Sequence, residues 1–247
     1  NSPWRGHIRD AQGNWVLDSI LTNATAHYLH NTCFVLGDRF DTAAMPEHLT
    51  VELYNGKGIE TFDTAFVSGK FASGCDFFLS VTHSGDRDVD PILQYTFENA
   101  VVTASGNDDS AEIIATFADG STKNYGAALG EYHVAQKLRT MIAVAADPSL
   151  DVPCTPDTVL PHLTMCNAIF DQADVHPLPA DRMEHVSEPE PGLFMRGLAD
   201  DAWTCFQTGK LPSELGFDWA KQPTVIKLDG YTTFSGAKCC CKEDGHA

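Results

Sequence analysis

One short segment, Asn23 to His30, carries two imidazoles and an amide at helical spacing. If a helix runs from this segment to Gly37, Asn23, His27 and His30 stand at i, i+4 and i+7 and project from one face. Histidine is the side chain that exchanges a proton near neutral pH, so this face suits acid–base chemistry on an alcohol or a carbonyl. A structural role, with both rings hydrogen-bonded beneath a loop, is equally open on spacing alone.

Zinc binding is an alternative for the same face. His27, His30 and Cys33 follow one another at i+3 steps, and imidazole nitrogen and thiolate sulfur are zinc ligands. No fourth ligand is spaced to complete the set, and Cys33 lies among apolar residues. We therefore predict no metal site, and keep a zinc-dependent lyase or hydrolase as a third hypothesis.

The elements that must position these residues are helices around a strand-rich block. Between residues 49 and 125, short apolar runs alternate with tight turns such as Asp119-Gly120, and no helical pattern separates them. This arrangement predicts a mainly antiparallel sheet. The predicted strands are Leu49–Tyr54, Thr61–Ser68, Phe77–Val81, Tyr95–Ala104, Glu112–Phe117, Thr122–Tyr125 and Thr224–Leu228.

Apolar stripes predict further helices after this block. Residues 134–145 form one stripe, and a second helix starts at Pro156, with Pro161 expected to kink or restart it. Both stripes are expected in the core, the second through Leu163, Cys166, Ile169 and Phe170. Residues 174–191 are typical of a linker or wrapping arm, and residues 193–208 of a third helix.

Composition limits the possible functions. The chain has 247 residues and a formal net charge of -18, which argues against nucleic-acid partners and anionic membranes, because both need basic patches. No apolar run is long enough to span a bilayer. Scattered cysteines without framework spacing favour reduced thiols and a cytoplasmic protein. No G-x-G-x-x-G or P-loop pattern is present, so we expect no Rossmann-type nucleotide site in this chain.

Several segments together resemble the carboxy-terminal half of the glucose–fructose oxidoreductase / inositol dehydrogenase / MocA family. They are Trp4-Arg-Gly, Gly13-Asn-Trp-Val-Leu-Asp18, Asn23-Ala-Thr-Ala-His27-Tyr-Leu-His30, Thr116-Phe-Ala-Asp-Gly120 and the stretch from Cys154 to Ala168. The order of these segments carries the resemblance, which covers residues 4–173. The missing Met at position 1 fits a piece of a longer or processed protein.

The resemblance implies an α+β domain with an open, mainly antiparallel β-sheet and helices packed on one face. It also implies that NAD or NADP is bound mainly by an amino-terminal Rossmann domain absent from this chain, and that the chain joins a homo-oligomer. Relatives often read Asp-x-x-x-His where this chain has Asn23 and His27. Because an amide cannot take up a proton at pH 7, His27 becomes the expected acid–base group and Asn23 orients the substrate.

We therefore expect the substrate-binding and assembly domain of an NAD(P)-dependent oxidoreductase for a sugar, cyclitol or polyol. His30, Trp4 and His83 are the expected substrate-binding residues, with Trp4 as a platform for the apolar face of a sugar. The alternative is a non-catalytic binding or scaffold module that uses the open sheet for oligomerisation. The expected divisions are a domain at 1–173, an extension packed on it at 174–237, and a flexible tail at 238–247.

Overall fold

The computed structural model describes residues 3–106, 111–127, 133–152, 154–186 and 192–240. The chain divides into two compact units, the first formed by residues 1–87 and 153–247 and the second by residues 88–152. The helices are α1 Ala26–Val35, α2 His133–Ala146, α3 Pro156–Gln172, α4 Leu198–Thr208 and α5 Ala237–Cys240, with a 3-10 turn at Ala180–Arg182. The strands are β1 Pro46–Asn55, β2 Thr64–Phe71, β3 Asp76–Thr82, β4 Ile92–Thr96, β5 Ala100–Ser105, β6 Glu112–Phe117, β7 Thr122–Ala127, β8 Val175–Pro177, β9 Met183–Val186, β10 Gly192–Met195 and β11 Thr224–Lys227.

The first unit is built on a five-stranded sheet in the order β11-β1-β2-β3, with β8 added parallel to β1. Val51 pairs with Val67 and Leu53 with Ala65, and this face packs against buried residues of α1 and α3. Because side chains alternate along a strand, the neighbouring Phe66 faces the other way, into a second cluster with α4. The prediction of an α+β fold with open, mainly antiparallel sheets is confirmed. The expectation of helices on one face is wrong for this sheet, because apolar side chains on both faces are covered, by α1 and α3 on one and by α4 on the other.

Helix α3 begins as the sequence indicates. Thr155 and Thr158 exchange side-chain and backbone hydrogen bonds in a capping box, and Pro156 takes the first helical position. The helix continues through Pro161 without a restart, which excludes one of the two predicted effects of this proline. Its buried face runs through Pro161, Met165 and Ile169, whereas Leu163 lies at the edge of that face and is 51% exposed.

Two predicted elements are split in the structure. The strand expected at Tyr95–Ala104 is a hairpin of β4 and β5, closed by a hydrogen bond from the Phe97 N–H to the Ala100 carbonyl. The helix expected from Leu193 starts only at Leu198, because β10 comes first and Gly197 then turns the chain at φ +79°. In both cases the hydrophobic pattern continues across a turn that polar residues and glycine create.

The second unit contains the antiparallel sheet β4-β5-β6-β7 and helix α2. The predicted Asp119-Gly120 turn joins β6 to β7, with Gly120 at φ +83°. Helix α2 forms where expected, but its apolar stripe is not in the core, since Leu138, Met141 and Ile142 are 63%, 55% and 61% exposed. Periodicity predicts which residues share a helix face, and it does not identify the surface that covers that face.

Residues after α3 add strands to the sheet that the earlier residues form. β8 and β11 both pair with β1, and helix α5 places the Lys238 ammonium 2.7 Å from the Gln172 carbonyl oxygen. The rest of the tail predicted at 238–247 lies outside the described residues from position 241 onward. No helix in the described ranges is long and apolar enough to cross a membrane.

Candidate functional site

Helix α1 presents its two histidines differently. His27 is exposed, and its ring forms no hydrogen bond with any described residue. His30 is half-buried, with Nε2 3.2 Å from the Thr158 carbonyl oxygen, so this nitrogen donates a proton there, and its ring stacks on Phe34 at 6.0 Å. Of the two rings, His27 is therefore available to a ligand, whereas His30 has a structural partner.

Asn23 lies outside α1, so the predicted single helical face does not extend to it. The helix begins at Ala26, because Ser19, Thr22 and Thr25 direct their hydroxyls to nearby backbone groups and build turns instead. The Asn23 amide nitrogen donates to Asp18 Oδ1 at 2.9 Å. Asp18, which sequence reasoning did not assign to the site, thus sets the orientation of the Asn23 side chain.

A third histidine joins His27 and His30. The ring of His162, on α3, has Nε2 3.1 Å from the Leu21 carbonyl oxygen and 3.5 Å from Cys166 Sγ. Burial lowers the pKa of His162; its contact with the Leu21 carbonyl opposes this, and the positive charges of His30 and His27 lower the pKa further. No local pattern indicates this grouping, because residues 21 and 162 are 141 positions apart and come together only in the folded chain.

The zinc hypothesis is not supported. Cys33 is fully buried in the core, and burial raises the pKa of its thiol to about 12. Throughout the described ranges, no three His, Cys, Asp or Glu side chains are arranged to hold a metal ion. His27 and His30 therefore lack the third ligand that the i+3 spacing suggested.

His83 follows β3 and is held by its backbone. Its N–H donates to the Asp63 carbonyl at 2.8 Å, and its side chain is exposed overall. Neighbouring protein atoms still partly desolvate the ring, which lowers the pKa of His83 by disfavouring its charged form. The positive charge of Lys57 lowers this pKa further. The charges of Asp63 and Asp18 raise it, and Arg5 lowers it.

Asp63 lies at one corner of the sheet, where β1 and β3 end and β2 begins. Its carboxylate is 2% exposed and accepts the N–H groups of Gly56 and Lys57, both at 2.8 Å, and the hydroxyls of Thr64 and Ser84, both at 2.9 Å. Sequence reasoning missed this residue, because a single aspartate at the start of a strand resembles any turn residue.

Trp4 lies in a turn before Gly6 and is 39% exposed. Gly6, at φ +71°, donates its N–H to Asp18 Oδ2 at 2.6 Å. Asp18 therefore connects the turn that carries Trp4 to Asn23, and its charge also acts on His83. The Asp18 carboxylate thus contacts Asn23 and the turn that follows Trp4, while His27 and His30 act on the pKa of His162 on α3.

The starts of α3 and α4 do not fit the pyrophosphate of a dinucleotide. The N–H groups at the start of α4, at Gly197 and Ala199, already bind the Asp86 carboxylate, and α3 is capped by Thr155. A second anion at α4 would meet the negative charge of Asp86 at short range.

Comparisons with known proteins complete these observations. No protein-family model matches the chain, and no curated protein matches it. Among solved structures, an NAD-binding protein from Listeria innocua shares 17% identity with a TM-score of 0.43, covering 62% of this chain and 44% of that chain. An oxidoreductase from Agrobacterium radiobacter, solved with NAD+, L-tartaric acid and magnesium, shares 13% identity with a TM-score of 0.47, covering 68% and 48%.

An oxidoreductase from Bacillus cereus shares 13% identity with a TM-score of 0.43, covering 72% of this chain and 52% of that chain. The chain thus spans about half the length of these solved structures.

Proposed function

We propose that this chain is the substrate-binding and assembly domain of an NAD(P)-dependent oxidoreductase that acts on a sugar, cyclitol or polyol. One observation carries the proposal: of the three grouped histidines, His27 alone has a ring without a hydrogen bond to a described residue. A general base must be able to reach the proton that it removes. The carbonyls of Thr158 and Leu21 occupy His30 and His162, and so leave His27 for the substrate.

In the proposed reaction, oxidised NAD or NADP would supply the acceptor for the hydride that leaves the carbinol carbon, while the hydroxyl proton passes to the His27 imidazole and the C–O bond becomes C=O. In the reverse direction His27 returns the proton. The Asn23 amide, held by Asp18, orients a neighbouring hydroxyl without exchanging a proton. His30 links α1 to α3 through its hydrogen bond to the Thr158 carbonyl.

The nicotinamide nucleotide would be held by a domain outside this chain. The starts of α3 and α4 do not fit the pyrophosphate of this nucleotide, because Asp86 and Thr155 already bind their N–H groups. The role left to this chain is to bind and orient the substrate and to move one proton at His27.

The proposal is tested on the complete gene product. Reduction of NAD or NADP is measured with a panel of sugars, cyclitols and polyols, and binding of the active compounds to the present chain is followed through the ring signals of its histidines. A substrate that reduces the nucleotide and shifts the His27 signal supports the proposal. A coding sequence without a nucleotide-binding domain, or activity with none of these compounds, would refute it.

A non-catalytic assembly function is the second candidate, and the exposed stripe of α2 favours it. Leu138, Met141 and Ile142 present adjacent apolar side chains on one helix, and patches of this kind are typical of interaction sites. Light scattering should then show an oligomer that Ile142→Gln dissociates, while Leu160→Gln, at an exposed leucine of α3, leaves it intact. A monomeric native chain would remove this candidate.

A further inference from the structure

Cationic side chains gather beside His83 on an otherwise acidic protein. The chain has 34 Asp and Glu against 16 Lys and Arg, and cations such as Arg182 and Arg196 pair with carboxylates. Arg5 and Lys57 are both exposed, and neither forms an ion pair with a carboxylate of the described residues. Their positive charges are therefore available to a ligand.

Backbone contacts bring these residues to one corner of the sheet. Asp63 holds the backbone of both Lys57 and His83. The Lys57 N–H donates to the Asp63 carboxylate at 2.8 Å, and the His83 N–H donates to the Asp63 backbone carbonyl at 2.8 Å. The Gly6 carbonyl accepts the Glu60 N–H at 3.0 Å, and a Cβ at Gly6 would lie 2.8 Å from the side chain of Ile59. The turn that contains Arg5 thus packs directly on the loop that contains Lys57.

The lysine is also positioned by an aromatic ring. Lys57 Nζ lies 5.2 Å from the centre of the Phe194 ring, within the range of a cation–π contact. A side chain held in this way loses less conformational entropy when it binds a ligand.

The acidic groups that face this corner are already occupied. Asp63 accepts four hydrogen bonds, and Asp18 accepts from Gly6 and Asn23 with its two oxygens. Both carboxylates are buried. Glu60 is exposed, and it binds His7 Nδ1 at 2.9 Å and the Ile8 N–H at 2.9 Å. These three carboxylates therefore already have hydrogen-bond partners, whereas Arg5 and Lys57 form no ion pair within the described residues.

We propose that Arg5, Lys57 and His83 bind an oxyanion group of the substrate, a carboxylate or a phosphate. The Arg5 guanidinium presents two coplanar N–H donors, which match two oxygens of a carboxylate or phosphate. The Lys57 ammonium adds a second positive charge. Trp4, next to Arg5, offers an aromatic face beside the anion. This inference rests on the proposed function. It predicts that the enzyme prefers sugar acids or sugar phosphates to neutral polyols.

The test uses the present chain at low ionic strength, where exposed charges are least screened. Calorimetry measures binding of gluconate, glucose 6-phosphate, inorganic phosphate and, as the uncharged comparison, sorbitol. We expect the charged compounds to bind at least about tenfold more tightly than sorbitol, and gluconate against the two phosphates tells which anion is preferred. The His83 ring signal should titrate at higher pH with the anion bound, because the anion stabilises the imidazolium.

Variants locate the site. Arg5→Gln and Lys57→Gln should each weaken anion binding about tenfold or more. Lys227→Gln, at an exposed lysine of β11, is the matched control and should leave binding unchanged. The inference would be overturned if sorbitol bound as tightly as the charged compounds, or if Arg5→Gln and Lys57→Gln both bound the anions with native affinity.

The outcomes separate this inference from the proposed function. Anion binding requires neither nucleotide nor turnover, so it can succeed where the oxidoreductase assay fails. Conversely, an enzyme that oxidises neutral polyols, with no anion binding at Arg5 and Lys57, would retain the proposed function and reject the anion site.

Discussion

Removal of the Asp63 carboxylate should be the most destabilising polar substitution in this corner of the sheet. Asp63→Ala removes a carboxylate that is 2% exposed and leaves the partly buried N–H groups of Gly56 and Lys57 without their acceptor, at a cost of roughly 1 kcal/mol each, the lower end of the range for an unpaired N–H. Thr64 and Ser84 also lose their charged acceptor. We expect a total loss of about 3–5 kcal/mol in the free energy of unfolding.

Asp63→Asn separates hydrogen bonding from charge. The amide oxygen can accept the two backbone N–H groups, and the amide NH2 can donate to the hydroxyls of Thr64 and Ser84, which can rotate to accept. The loss should therefore be only about 1–2 kcal/mol. Urea denaturation followed by circular dichroism measures both variants, with Asp76→Ala, at an exposed aspartate of β3, as the control at about 0.5 kcal/mol or less. If Asp63→Ala were no more destabilised than the control, this account of the corner would be wrong.

Three further predictions follow from the charges and thiols of the first unit. Lys57→Gln should raise the pKa of His83, since the positive charge of Lys57 helps to lower it; an NMR titration of the ring that shows no rise would contradict the assignment. Asp86→Ala should cost about 1 kcal/mol by uncapping α4. Partial burial raises the pKa of Asp86, but hydrogen bonds from the helix N–H groups outweigh it and lower the pKa. The native chain therefore loses the stabilisation from this cap as the pH falls below about 4, and acid unfolding of the variant should lack that pH-dependent loss. Cys166, whose thiol pKa burial raises to about 12, should alkylate at pH 8 roughly 100-fold or more slowly than exposed Cys75, and peptide mapping that finds equal labelling would disprove its burial.

Local patterns predicted the elements that depend on near neighbours. The strand Glu112–Phe117 has the predicted bounds, and α3 starts at Pro156 after its Thr155 cap, because alternation, turn chemistry and capping act over a few residues. The hairpin at Phe97 and the strand before α4 were missed, because the apolar pattern does not stop at those turns.

The arrangement of the candidate site could be predicted only in part, because much of it depends on contacts between residues distant in sequence. His27 could be selected from the segment that carries it, whereas His162 joins it through the Leu21 carbonyl, 141 residues away. The Asp18 carboxylate takes the Asn23 amide out of the helical face that its spacing suggests. The charges of Lys57 and Arg5 act on His83 only because the Asp63 hydrogen bonds and the packing of Gly6 bring their loops together.

Turnover of the complete gene product with His27→Gln tests the central claim most directly. If His27 moves the substrate proton, kcat should fall by about 10²-fold or more, the limb of the pH–rate profile that reports the free base should disappear, and the folding of the variant should match the native chain, since His27 is exposed. His30→Gln, which removes the ring from the Thr158 carbonyl, should instead lower stability and retain that limb of the profile. Native kcat and an unchanged pH profile in His27→Gln would contradict the claim.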